Sequence, residues 1–373
     1  MESSKIQWCH STITPVMGCD GCELWPTIKQ LIMVLIILIL SKIKEQRQVV
    51  REAVEKEFEG TPHPTAAWHA RERIIENLQS QFPHIPLEDW KEWFEKLFKC
   101  YAGSQHIVRG AKPADWTEAS TKGYAAVFDI PEKFRNRMAV AANWGPPTAM
   151  ETEGSPWLAY LPRLIFASDM GDALSDSIDF EFLKTEIIDN VSSAKGQRHI
   201  WLWLTKRPKR MAEFAAWLND VHGLSWPPNL VAITSVTNQA TRSRIDEIRQ
   251  VPAAIRGLSV EPLAEGVELD LKGINWVITG GESGKYAREF DLAWARSIQE
   301  QCREAGVAFF MKQAGANVVE DGFPITLVDG HGGDSAEWPA DLRVREFPQE
   351  FHEYSPTVSK NTDTVSSQNN PHK

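Results

Sequence analysis

Residues 199–221, HIWLWLTKRPKRMAEFAAWLNDV, decide the fold. The first part, His199 to Thr205, is a short, nearly continuous apolar run of the kind that forms a buried strand. Pro208 then opens a segment whose apolar residues recur at three and four spacing, the period of an amphipathic helix. A strand that passes straight into a helix is half of a βαβ unit. The same texture returns on both sides, with apolar runs at 163–168 (RLIFAS), 229–236 (NLVAITSV), 256–260 (RGLSV), 274–280 (INWVITG) and 307–312 (VAFFMK). Helical stretches such as FEFLKTEIIDNVSSA, ATRSRIDEIRQV and DLAWARSIQEQCREAG lie between them. Strands alternating with helices predict a parallel sheet with right-handed crossovers. STITPVMG, at 11–18, supplies a further strand, so the expected α/β fold is a partial or complete (β/α) barrel of six to seven parallel strands.

Behind that first strand the chain changes character. Residues 27–99 carry little glycine and read as an inserted block of two or three helices, clearest in KIKEQRQVVREAVEKEFE and PLEDWKEWFEKLFK. Residues 109–157 are loop-like, broken by NWGPP and EGSPW. From 351 to 373 the chain is polar and is expected to be a disordered tail, which leaves residues 1–350 as a single domain.

With 373 residues and 42% hydrophobic content the chain can bury a sizeable core. A formal charge of -10 argues against gripping nucleic acid by overall charge, though a local basic cleft stays open to it. LIMVLIILIL, at 31–40, is about half the roughly 20 apolar residues a spanning helix needs, so it reads as a buried helix and no membrane contact is expected. The five cysteines are odd in number, unevenly spaced and accompanied by no secretory signal. That usage suits a reducing cytoplasm, where clustered cysteines hold metal more often than they form disulfides.

In parallel α/β folds ligands bind at the carboxyl ends of the strands. Nearly every strand here ends in polar or ionisable groups: Ser168, Asp169 and Asp172; Thr205, Lys206 and Arg207; Ser235, Thr237 and Asn238; Ser259 and Glu261; Gly280, Gly281, Glu282 and Ser283; Lys312 and Gln313. Any one of these is an ordinary polar turn, but six in succession mark one rim as the site. Gly280 and Gly281 would bring bare backbone amides near an anionic or amino-acid-like ligand, with Glu282 accepting from an ammonium.

Cys19 and Cys22, in TPVMGCDGCELWP, follow the first strand and so emerge on that rim. Cys100 ends the helical block at KCYAG, where the chain returns to the mouth of the first strand, and is the natural third ligand. Three thiolates can hold an iron–sulfur cluster with one iron left open, or a zinc with an open position. Cys302 lies within an amphipathic helix as a packed small side chain, and Cys9 reads two ways, as a fourth ligand together with His10 or, in the favoured reading, as buried at the entry of the first strand.

The ordered blocks IQW, TPVMGC, CYA, IFASDMGD, WLWLTKRPKRM, AITSVTNQ, LSVEPL, WVITGGESG and FFMKQAG, spanning residues 6–315, resemble the phage-associated three-Cys-motif protein family, which is itself similar to radical S-adenosylmethionine enzymes. The resemblance implies that Cys19, Cys22 and Cys100 hold a 4Fe-4S cluster whose open iron chelates S-adenosylmethionine, cleaved to a 5'-deoxyadenosyl radical that acts on a substrate, nucleic acid-related if the phage setting is a guide. It further implies that Ser168 and Asp169 contact the methionine amino group, and that Ser235, Glu261 and Glu282 meet ribose or substrate. Here the third cysteine is displaced from its usual place by the helical block, with Lys99 before it and Tyr101 after it. Such an insertion is permissible where its ends lie close, because loop entropy grows slowly with length.

Two other functions stand beside this one. In the first, the metal is structural and the barrel is a module for nucleic acid or a protein partner, with TKRPKR (205–210) meeting phosphates. In the second, Asp169, Glu261 and Lys312 serve a metal-dependent hydrolase, a reading weakened because His199, His222 and His331 fall at no ligand spacing. The helical block would either dock a protein partner or cover the cluster.

Overall fold

The computed structural model describes residues 6–20, 22, 25–98, 100, 102–103, 105–106, 125–284 and 287–354. Seven parallel strands form the main sheet: β1 (Ser11–Ile13), β2 (Leu164–Ala167), β3 (Ile200–Thr205), β4 (Leu230–Ser235), β5 (Arg256–Val260), β6 (Trp276–Gly280) and β7 (Ala308–Gln313). Each strand pairs with the one before it in the chain. The sheet is therefore singly wound and curls into a half-barrel, with no switch point of the doubly wound kind.

Both faces of the sheet are covered, which is why its strands read as continuous apolar runs. Ile165, Ala167, Trp201, Trp203, Leu258, Val277 and Met311 pack outward against helices that include Pro208–His222 and Leu292–Ala305. Leu164, Phe166, Leu202, Ile233, Ile278 and Phe310 fill the inside of the curl. Trp8 and two residues from the C-terminal region, Phe347 and Phe351, complete that inner core. Phe351 belongs to the helix Gln349–Glu353, so the polar tail expected from 351 starts later; residues 355–373 lie outside the described ones.

The gap between the first and last strands is spanned by Arg345. Its guanidinium donates to the carbonyls of Met311 (3.2 Å), Lys312 (3.2 Å) and Gly333 (3.3 Å), bonds the side chain of Gln7, and lies 3.8 Å over the Trp157 ring.

The block after β1 holds five helices, α1 (Ile28–Lys42), α2 (Arg47–Glu57), α3 (Pro64–His69), α4 (Arg71–Gln81) and α5 (Leu87–Leu97), where two or three were expected. Pro62 and Pro64 separate α2 from α3, and Pro83 and Pro86 separate α4 from α5, since proline cannot continue a helix from the preceding turn. Thr27 and Gln30 cap the start of α1 reciprocally. No described helix is long and apolar enough to cross a membrane.

Other expectations change in detail. STITPVMG divides at Pro15: β1 ends at Ile13, and Val16–Met17 pairs antiparallel with Glu132–Lys133. The stretch expected as loop over 109–157 contains the helices Arg137–Ala142 and Ala149–Thr152, while residues 109–124 lie outside the described ones. A small sheet of Phe290–Asp291, Val318–Glu320 and Phe323–Ile325 was not legible as strands.

Candidate functional site

The cysteine turn is clamped by backbone contacts. Gly18, at φ +98, donates to Met170 O (3.2 Å) and accepts from Asp172 N (3.2 Å). A Cβ on the facing Gly171 would stand 2.5 Å from Gly18 O, so only glycine allows this approach. Cys19 N donates to Phe128 O at 2.7 Å. Cys22 and Trp25 exchange backbone hydrogen bonds, each of 3.1 Å.

Trp25 joins this turn to the segment bearing Cys100. It is fully buried, edge-on to Phe98 (4.9 Å between centroids) and Phe128 (5.1 Å), and its indole donates to Asp129. Gly103 lies flat against it; a Cβ there would come within 2.4 Å of the ring. Trp25, Asp129 and Gly103 are positioning residues that sequence reasoning missed. A Trp three residues after Cys22 was the available signal.

The thiols at 19 and 22 are hydrogen-bonded to each other, and the charge of Cys19 is felt at Cys100. The bond to Cys22, then burial, then Asp172 push the Cys19 thiol up, against Arg207. Burial pushes the Cys100 thiol up most, Lys206 opposes it, and Cys19 adds to the rise. Among the described residues no group of three or more His, Cys, Asp or Glu side chains is placed to hold a metal ion. The donor set nonetheless suits a thiophilic cation, since a cation at this corner would reverse the cost that keeps the thiols protonated. Cys9, in the inner core, and Cys302, pushed up to about 12 by burial, take no part.

Arg207 closes one side of the corner. Its guanidinium lies 3.5 Å from Cys19 Sγ and 3.5 Å from Asp172, and pairs with Asp20. Burial works against its charge but is outweighed by Asp172 and Cys19. Asp172 is held by Thr205 Oγ1 (2.9 Å), Lys206 N (2.9 Å) and Leu174 N (3.0 Å). Arg210 donates to Ile178 O at 2.8 Å and lies over Phe180. Two of the cations in TKRPKR are thus engaged within the fold.

A second set of rim residues faces the inside of the curl. Strand alternation puts Ser168, Ser235, Ser259 and Gly280 on the same face as Phe166, Ile233, Ile278 and Phe310, one layer higher, and Lys312 is the extra residue where the register of β7 shifts between Met311 and Gln313. Ser168 sits at φ +74, unusual for a residue with a side chain, and its buried hydroxyl has no hydrogen-bond partner. Glu261 reaches this layer, where Lys312 Nζ lies 3.4 Å from it and Ser259 Oγ 3.4 Å.

The remaining candidates are used otherwise. Asp169 bonds Thr14; burial pushes its carboxyl up, against the hydroxyls of Thr14 and Thr12. It lines an open cavity of about 360 Å³ with Arg135, Arg137 and Met170. A Cβ on Gly281 would meet Ala314 O at 2.2 Å, so this glycine serves the close passage of the chain past β7. Glu282 accepts from Arg288 N (3.0 Å) and Nε (3.1 Å). Gln313 donates to Ser283 at 2.8 Å.

No curated protein and no solved structure matches the chain. Residues 88–356, which carry Cys100 and β2 to β7, match the model of a family described as a protein of unknown function (DUF5131).

Proposed function

The chain belongs to that DUF5131 family, and from its own residues we propose that it is a radical S-adenosylmethionine-type enzyme, with Cys19, Cys22 and Cys100 as the ligands of an iron–sulfur cluster at the mouth of the half-barrel. The observation that supports the proposal is that Trp25, backbone-paired with Cys22, lies flat against Gly103, three residues after Cys100, so the two cysteine segments share one corner although the whole helical block separates them in sequence. Three protein ligands suit this chemistry because a fourth would close the iron that must stay open. Such a cluster, when bound, supplies the electron for reductive cleavage of S-adenosylmethionine.

The chain's own groups have separable tasks. Arg207 lies against Cys19 Sγ and favours its thiolate form. Trp25, Phe98 and Phe128 exclude water from the cysteine corner. Ser168, buried and unpartnered, offers a hydroxyl to a ligand at the end of the neighbouring strand. Beneath the mouth, Phe166, Ile278 and Phe310 close the curl, so a ligand approaches from the rim.

Protein purified without oxygen is expected to be brown, with about four irons per chain, and a Cys100→Ala variant is expected to lose that iron. Dithionite-reduced protein should then release 5'-deoxyadenosine from S-adenosylmethionine. One zinc and no iron would instead support the structural-metal reading.

A further inference from the structure

At the far end of the strand order from the cysteine turn, Glu261 and Lys312 form an ion pair that is not closed. Lys312 Nζ stands 3.4 Å from both carboxylate oxygens. A closed charge-assisted bond is roughly 2.7–2.9 Å long. Oε1 of Glu261 is buried and accepts no hydrogen bond, and Ser259 Oγ stands off from Oε2 at 3.4 Å. A buried carboxylate oxygen without a donor is costly, so its presence at a rim calls for an explanation. Gly280 lets the carboxylate pack this closely against β6, since a Cβ there would lie 3.0 Å from Oε1 and from Gln313 O.

We propose that this open pair is the seat of a zwitterionic group, an α-ammonium carboxylate, with the ammonium on Glu261 Oε1 and the carboxylate on Lys312 Nζ. The proposal deepens the reading of the mouth as the active site and rests on it, but it does not require the metal. A lone anion would meet Glu261, and a lone cation Lys312; a ligand carrying both signs a few bonds apart satisfies both without a change of protonation. A polynucleotide substrate fits less well, because Arg207 and Arg210 are engaged within the fold and the chain carries a charge of -10. The substrate class is therefore an amino acid or a molecule that ends in one. S-Adenosylmethionine carries the same group and is the second source of this chemistry.

The test is calorimetric titration of the full chain with S-adenosylmethionine and, separately, with each of the common L-amino acids and the decarboxylated amine of any that bind. At least one of these zwitterions should bind, and its amine should bind at least tenfold more weakly. Glu261→Gln and Lys312→Met should each weaken the zwitterion at least tenfold, and Lys312→Met should remove the preference over the amine. Selective weakening of S-adenosylmethionine assigns the pair to the cosubstrate; selective weakening of an amino acid assigns it to the substrate. Failure of every zwitterion to bind, equal binding of the amine, or indifference to both substitutions overturns the proposal. The amine comparison uses the unaltered chain and stands even if a variant fails to fold. Iron content, measured in parallel with Cys100→Ala, reports on the cluster separately.

Discussion

Gly103 carries no chemistry, yet it governs where Cys100 lies. Gly103→Ala drives a methyl group into the Trp25 ring, which is wedged between Phe98 and Phe128 and cannot yield. The expected outcome is loss of most bound metal, read by iron analysis, with the half-barrel still folded by circular dichroism. Two histidines set a second expectation at this scale. His10 is buried, accepts from Leu164 N at 2.9 Å and is pulled down to about 4, chiefly by burial; His199 is likewise buried and pulled down to about 4. Their ordinary value is 6.5, so the unfolded chain takes up protons first as pH falls. Stability is therefore full above about pH 6.5 and is lost between there and pH 4, by about 3 kcal/mol for each histidine. Urea titrations across that range should show the decline, and a flat profile would contradict it.

Among the elements, the helix Gln349–Glu353 matters more than its length suggests. Phe351 is fully buried in the inner core against Trp276 and Phe347. Phe351→Ala should cost about 3–5 kcal/mol, measured by equilibrium unfolding, because it removes a fully buried ring from between Trp276 and Phe347. Sequence patterning did not find this element, since a helix of five residues leaves too little periodicity and its one apolar anchor sits among polar neighbours. The long apolar runs were legible for the opposite reason. HIWLWLT and NLVAITSV are buried on both faces and leave little room for another assignment. The helical block was legible as helix but not in number, because its prolines fall in gaps that the charged stretches obscure.

For the molecule as a whole, the order of the strands along the chain is also their order in space, so motifs at successive strand ends had to share a rim. That made the rim residues legible as a set. It could not separate the cysteine corner from the inner mouth, because alternation along each strand, and side-chain pairings such as Glu282 with Arg288, decide which residues look inward. If the cluster is held as proposed, metal ligation ties β1 to the end of the helical block, and its binding energy adds to folding. Chelation and removal of iron should then lower the melting temperature by several degrees, whereas Cys100→Ala should melt low and be indifferent to chelator.

Beside the last strand, residues 344–346 pair antiparallel with β7, through Met311 N to Val344 O (2.8 Å) and Glu346 N to Phe309 O (2.9 Å), and the Arg345 side chain reaches on from there toward the start of the first strand. Arg345 grips the carbonyl of Lys312 and the side chain of Gln7, and so sets the bore of the mouth as a latch does. Replacing it with methionine would free the two lips to drift apart and loosen the lysine facing Glu261. The width of the aperture, and with it the size of molecule admitted, is thus adjustable at a position remote from any reacting atom.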